Sequence, residues 1–357
     1  VCSPDVATTV PSMNTTPASN RVVLEAGGPL VAPRHAVGTR SAVVVDPARD
    51  DRVLALEVWY PAQACDAPLA VYDILPGVGF TASARVDAPP LDAPAPLLVW
   101  SHGRTGTRSA YVMLCEGLAA RGYVVVAPDH PGDTLTDWML GVAADDPTNN
   151  DNRVGDAQHL LDVLLADAPA FLDGIELDAD RVALAGHSYG GWTALAVAGL
   201  AEPDPRVRAV AGLQSLTSTL GRDVLERISV PTLLLVGQCD TTTPPATNAD
   251  RAAHLLRGTE FVRVDLDAAG HQACSDVGLY LELAPQVADL PDVVVEYVQS
   301  MADGVTGTAG DPWRPTVALH VQVLGAWLDH ALGRDPDAAR AELQGVAATP
   351  GIRVSGL

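Results

Sequence analysis

The chain has 357 residues, 48% of them hydrophobic, and carries 44 acidic against 22 basic side chains for a formal net charge of −22. Every basic residue is Arg; no Lys occurs. This balance argues against nucleic acid and anionic membranes as partners, because no basic stripe exists to displace counterions, and the apolar content argues against general disorder. No run reaches the roughly 18 apolar residues that a membrane span requires.

The Thr/Ser/Pro-rich start at Val1 reads as a trimmed N-terminal arm, taken as residues 1–36. Together with the cysteines it sets the expectation of a secreted or periplasmic protein. Residues 37–60 alternate in polarity around the turn-forming stretch 46–51, which predicts an antiparallel hairpin. A Pro- and Ala-rich linker is expected over 61–96. The apolar run Pro96–Ser101 predicts a buried strand, Ser109–Arg121 a helix closed by Gly122, and Tyr123–Pro128 a second strand. An irregular acidic insertion is expected at 131–151, then a helix from Asn152 to Ala166.

Further strands are predicted at 207–213, 231–237 and 261–266, with helices at 190–200 and 246–257. A second insertion is read at 275–312 and an amphipathic helix at 316–333. The tail 335–357 is expected to pack loosely. Strands alternating with helices after a hairpin predict an α/β fold, a mostly parallel sheet with helices on both faces. One domain is expected over 37–334.

The stretch Arg181–Gly191 carries the strongest signal. An apolar β-branched run breaks into Gly186-His187-Ser188-Tyr189-Gly190 and continues as an alanine-rich helix. A strand ending in G-x-S-x-G and entering a helix is a nucleophile elbow. Its glycines are required because the turn is too tight for a Cβ on either side of the serine. A serine hydroxyl needs an imidazole to take its proton, and that imidazole needs an anion to fix its tautomer. Asp240, ending the strand 231–237, and His271, in the loop after 261–266, follow in the required order. Asp276 and Asp267 are the alternative acids. The expected oxyanion donors are the backbone N–H groups of Tyr189 and Arg104.

His130, Trp138 and Leu216 are the candidate substrate contacts; Tyr111, Trp192 and Trp313 are further aromatics for an acyl or aryl pocket or, for the two tryptophans, for the core. The cysteines lack zinc spacing, so neither metal nor cofactor is expected. Cys239 precedes Asp240 and Cys274 lies three residues after His271; if the acid and base meet, a Cys239–Cys274 disulfide is expected, with Cys2–Cys65 as a second. Cys115 is expected to be a buried free thiol. The oxygen-rich run Asp145–Asp151 lacks the spacing of a calcium loop and reads as solvated.

Three segments carry a resemblance: Trp100-Ser-His-Gly103, Tyr123-Val-Val-Val-Ala-Pro-Asp-His-Pro131 and Gly186-His-Ser-Tyr-Gly-Gly191. On them the chain resembles the α/β-hydrolase superfamily over about 37–334, and within it dienelactone-hydrolase-like esterases and plasma-type platelet-activating-factor acetylhydrolases. It is also similar to bacterial cutinases and poly(ethylene terephthalate) hydrolases, which share the acid after the later strand and, in some members, a disulfide beside acid and base. The chain departs from these patterns at Ser188, where dienelactone hydrolases use cysteine, and at Gln214, near which the acetylhydrolases place their acid. Arg104 stands for the cutinases' aromatic residue and Tyr189 for their methionine.

The resemblance implies a serine carboxylic-ester hydrolase acting on small or polymeric esters, and a monomer is expected. Lipid-ester hydrolysis is the runner-up, and a non-catalytic binding protein of the same fold is the reading from another class. The insertion at 275–312 is expected to cap the site as a partial lid.

Overall fold

The structure is a computed structural model and describes residues 21–75, 77–166, 169–288, 290, 292–306 and 312–357, without the side chains of 293 and 303. Within these, twelve strands form one sheet: β1 (Val22–Glu25), β2 (Ala36–Asp46), β3 (Arg52–Ala62), β4 (Leu69–Leu75), β5 (Val78–Val86), β6 (Ala95–Ser101), β7 (Val124–Pro128), β8 (Leu177–His187), β9 (Val207–Leu213), β10 (Thr232–Gly237), β11 (Phe261–Leu266) and β12 (Ile352–Ser355). Their order is β1-β5-β2-β3-β7-β6-β8-β9-β10-β11-β12, with β4 on β5. From β7 to β11 every pairing is parallel.

The helices are α1 (Val112–Arg121), α2 (Leu135–Met139), α3 (Asp146–Leu165), α4 (Tyr189–Ala198), α5 (Arg222–Arg227), α6 (Ala249–Ala253), α7 (Val277–Leu283), α8 (Asp292–Ser300), α9 (Trp313–Ala331) and α10 (Pro336–Ala347). None is long and apolar enough to cross a membrane. Side chains alternate across the central strands, as the pleat requires. Leu98 and Trp100 of β6 join a core containing Leu114 and Leu118 of α1 and Leu324 of α9. Leu97 and Val99 face the other way, into a core with Leu160 of α3 and Leu195 of α4. A strand buried on both sides must be apolar throughout, which is why β6 and β7 read as unbroken runs.

Four expectations are corrected. Residues 61–96 are not merely a linker: β4 and β5 form an antiparallel pair there, from the apolar runs flanking Pro76. The arm 1–36 contributes β1, paired in parallel with β5. The stretch 145–151 is helical, because the Asp145 side chain accepts the Thr148 N–H at 3.0 Å and caps α3, starting the helix at Asp146. The tail is not loose. Helix α10 rests on α9, Arg121 of α1 reaches Glu342 at 2.6 Å, and β12 pairs antiparallel with β11.

Candidate active site

The elbow is built by close approach of backbones. Strand β8 ends at His187 and α4 starts at Tyr189, leaving Ser188 between them at φ 54°, ψ −114°. A left-handed φ is strained for serine and persists only where the surroundings impose it. They do so here: a Cβ on Gly190 would overlap the Ser101 carbonyl oxygen, and one on Gly186 would overlap the Gly190 backbone. Leu216 N–H and Trp192 N–H both donate to the Ser188 carbonyl, at 3.0 and 3.1 Å.

Ser188, His271 and Asp240 converge. His271 Nε2 lies 3.0 Å from Ser188 Oγ, and His271 Nδ1 lies 2.8 Å from Asp240 Oδ2. With Nδ1–H donated to the carboxylate, Nε2 is left as acceptor for the serine proton. Asp240 Oδ1 accepts the N–H groups of Thr242 and Thr243 at 2.9 and 2.8 Å, and the Thr243 hydroxyl lies 2.6 Å from Oδ2. Burial alone would raise this carboxyl's pKa; the bonds from His271 and Thr243 outweigh it and hold the group below its ordinary value. Thr243 was not singled out by the sequence, although a threonine three residues past an acid is a common turn partner.

The turn after β6 supplies a free amide. Gly103 N–H donates to the Tyr111 hydroxyl at 3.2 Å and Gly106 N–H to the Gly103 carbonyl at 3.0 Å. Between them the Arg104 N–H has no partner among the described residues. Tyr189 is the first residue of α4, where N–H groups lack a carbonyl behind them. Arg104 and Ser188 line the same cavity.

The two side chains at these positions do other work. Arg104 pairs with Asp146 at 2.7 Å near the surface. Tyr189 is buried, donates its hydroxyl to Asn150 Oδ1 at 2.6 Å, and is flanked by the guanidiniums of Arg104 and Arg153, 4.8 and 4.5 Å from its ring centre. Arg153 is itself fully buried, bonded to Asp133 at 2.7 Å and to the His102 carbonyl at 2.9 Å.

A cavity of about 770 Å³ opens over Ser188 and His271. Tyr111, Tyr280 and Met301 contribute to its wall, and Val294, Tyr297 and Val298 of α8 form one side. Trp138 stacks on Tyr297 with ring centroids 6.1 Å apart. The insertion 275–312 therefore borders the cavity.

Two candidate contacts do not reach it. His130 is fully buried behind β6, bonded to Asp156 at 2.9 Å and Ser101 Oγ at 3.2 Å; burial and the nearby Arg153 charge lower its pKa to about 4, so it is a neutral structural residue. Leu216 touches Ser188 through its backbone, but its side chain packs on the core around α4. Trp192 lies in that same core and Trp313 in the opposite one. Of the alternative acids, Asp267 pairs with Arg353 at the surface and Asp276 accepts the N–H groups of Val112 and Met113, at 2.6 and 3.2 Å, capping α1.

The expected Cys239–Cys274 disulfide is absent: both are free thiols, as are Cys65 and the buried Cys115. Cys239 is exposed and bonds the Asp267 carbonyl, whereas Cys274 is enclosed in the core. Cys239 lies in the turn after β10, closed by the Asp240 N–H on the Gly237 carbonyl, and its thiol points to Asp267 while Cys274 points into the core, so the meeting of Asp240 with His271 does not bring the cysteines together. The proposed Cys2–Cys65 pair lies partly outside the described residues.

Several known proteins are similar to this chain. The family profile for chlorophyllase matches residues 81–221. A cutinase of Thermobifida alba is 30% identical over 175 residues, 48% of this chain and 52% of that protein. A probable 1-alkyl-2-acetylglycerophosphocholine esterase of Arthroderma benhamiae is 30% identical over 108 residues, 27% of this chain and 26% of that one. The structure of a ferulic acid esterase from Streptomyces cinnamoneus superposes with a TM-score of 0.67 at 27% identity, covering 88% of this chain and 94% of that one. The chain has the α/β-hydrolase fold. It spans about half the length of the cutinases it matches.

Proposed function

We propose that this α/β-hydrolase is a serine carboxylic-ester hydrolase working through an acyl-enzyme. The observation that carries the reading is the continuous hydrogen-bonded line Ser188–His271–Asp240, at 3.0 and 2.8 Å, in the floor of a cavity beside two uncommitted backbone amides. Ser188 Oγ attacks the ester carbonyl carbon while its proton passes to His271 Nε2. The Arg104 and Tyr189 amides hold the resulting oxyanion, and Asp240 stabilises the imidazolium. Collapse breaks the bond to the alkoxy oxygen, which leaves as the alcohol with the proton from His271. Water then repeats the sequence on the acyl-serine, releasing the acid and restoring Ser188.

Esters with a short or aryl acyl group suit the aromatic and aliphatic wall of the cavity, and the cutinase and ferulic acid esterase relatives point the same way. Polyester cleavage extends this reading. A secreted, monomeric enzyme is part of this reading. A lipid-specific acetylhydrolase is less favoured, because Gln214, after β9, is not acidic and engages His320 at 3.1 Å.

Hydrolysis of p-nitrophenyl butyrate by the intact chain and by Ser188→Ala tests the proposal. Loss of the nucleophile is expected to lower kcat by about a thousandfold or more. Retention of the wild-type rate by the variant would overturn it.

A further inference from the structure

The four most exposed large apolar side chains among the described residues stand within five consecutive positions: Trp138, Met139, Leu140 and Val142, at 55%, 59%, 71% and 61% exposure. The remaining exposed apolar residues, such as Val53 and Leu69, are scattered, which is ordinary for a protein surface. A contiguous apolar projection is not ordinary and marks a contact surface.

The projection is held in place. Thr134 and Asp137 form a capping box at the start of α2, and Asp137 also accepts the Gly132 N–H at 2.8 Å. Ala144 N–H donates to the Gly132 carbonyl at 2.8 Å, closing the base of the loop. At its tip Gly141 turns at φ 68° and Val142 N–H donates to the Asp137 carbonyl at 2.9 Å. The chain thus fixes the backbone that presents these side chains to water.

The patch is continuous with the catalytic cavity, because Trp138 and Met139 also line it. A molecule whose ester enters the cavity can therefore extend over Leu140 and Val142 without leaving apolar surface. The net charge of −22 disfavours an anionic surface, and the patch itself offers no cation to one. We propose that the 138–142 tip is a docking surface for an uncharged, water-insoluble polyester, which it seats against the cavity mouth. This inference rests on the esterase reading for its substrate.

The test separates docking from chemistry. In a Ser188→Ala background, binding to polycaprolactone particles is measured by co-sedimentation, with and without Leu140→Ser and Val142→Ser together. Neutral and anionic phospholipid vesicles serve as the comparison surfaces. In the active protein, the same double variant is assayed on dissolved p-nitrophenyl butyrate and on the particles. Replacing two apolar anchors is expected to weaken particle binding and particle hydrolysis by about tenfold or more, leaving the dissolved ester within about twofold.

Equal loss on both substrates, or no loss on either, would overturn the proposal. So would a preference for vesicles over polyester, or a wild-type dimer that the double variant dissociates. Failure of the intact chain to cleave the dissolved ester would instead count against the esterase reading, since the sedimentation arm needs no catalysis.

Discussion

His187 Nε2 lies 2.6 Å from the carbonyl oxygen of His271, so the residue before Ser188 holds the backbone of the proposed general base. The other ring nitrogen, Nδ1, accepts from the Tyr111 hydroxyl at 2.7 Å, and that hydroxyl accepts the Gly103 N–H. Burial, reinforced by the His271 charge, lowers the His187 pKa to about 3, which keeps the ring neutral and the donor directions fixed. Three loops that must agree in position for the proposed ester cleavage share this line of hydrogen bonds.

Tyr111→Phe removes the middle of that line and leaves His187 Nδ1 and the Gly103 amide unpaired. A buried polar group without a partner costs about 1–3 kcal/mol. We expect kcat for p-nitrophenyl butyrate to fall about tenfold with KM little changed, read from steady-state kinetics, and urea unfolding to show a loss of that size. Unchanged kcat in a stable variant would show that the line positions nothing.

Asp240→Asn retains the shape of the acid but not its charge. The side chain can then present an amide to His271 Nδ1 and favour the wrong tautomer. By analogy with other triads the loss in kcat is on the order of 10³–10⁴ at neutral pH. A loss of less than about tenfold would point to another acid.

Arg153→Met leaves the buried Asp133 carboxylate without its cation and removes one face of the Tyr189 stack. Breaking a buried pair from one side typically costs about 3–5 kcal/mol. Urea denaturation should show that loss, and adding Asp133→Leu should recover part of it. Failure of the second substitution to recover any stability would indicate that packing on Tyr189 dominates.

Asp276 is fully buried, and desolvation raises its pKa from 3.8 to about 7 despite two backbone N–H donors. Its folded pKa lies above the unfolded value, so its contribution is fully present below about pH 4 and is lost as pH rises towards 7. Asp276→Asn removes this dependence. The melting temperature of the variant relative to the parent should therefore rise between pH 4 and 7 and level off above. A constant difference across that range would mean the carboxyl titrates near its unfolded value.

The parts of the molecule legible from sequence are those where one physical demand dominates. Burial on both faces forces the apolar runs of β6, β7 and β8, and the tightness of the elbow forces glycine at 186 and 190. The pair β4 and β5 was hidden because prolines and alanines surround it and its inward residues, such as Ala82 and Ala84, are small. Strand β12 is four residues long, and only its pairing with β11 makes it a strand. Asp240 and His271 could be chosen by order along the chain, whereas His130 could not be placed, because its partner Asp156 lies 26 residues away on α3. The cysteine pairing failed for a local reason: closeness along the chain says nothing about which way a thiol points.

Tyr189, wedged between two guanidiniums and tied to Asn150, anchors the residue after Ser188 on the inner side of the cleft. Divergence in what the cleft accepts must then accumulate on its outer half, where the 134–142 loop and α8 meet through Trp138 and Tyr297. Libraries aimed at new leaving groups or bulkier acids should be confined to those two segments, since randomising the residue after the serine would dismantle the scaffold before it altered selectivity.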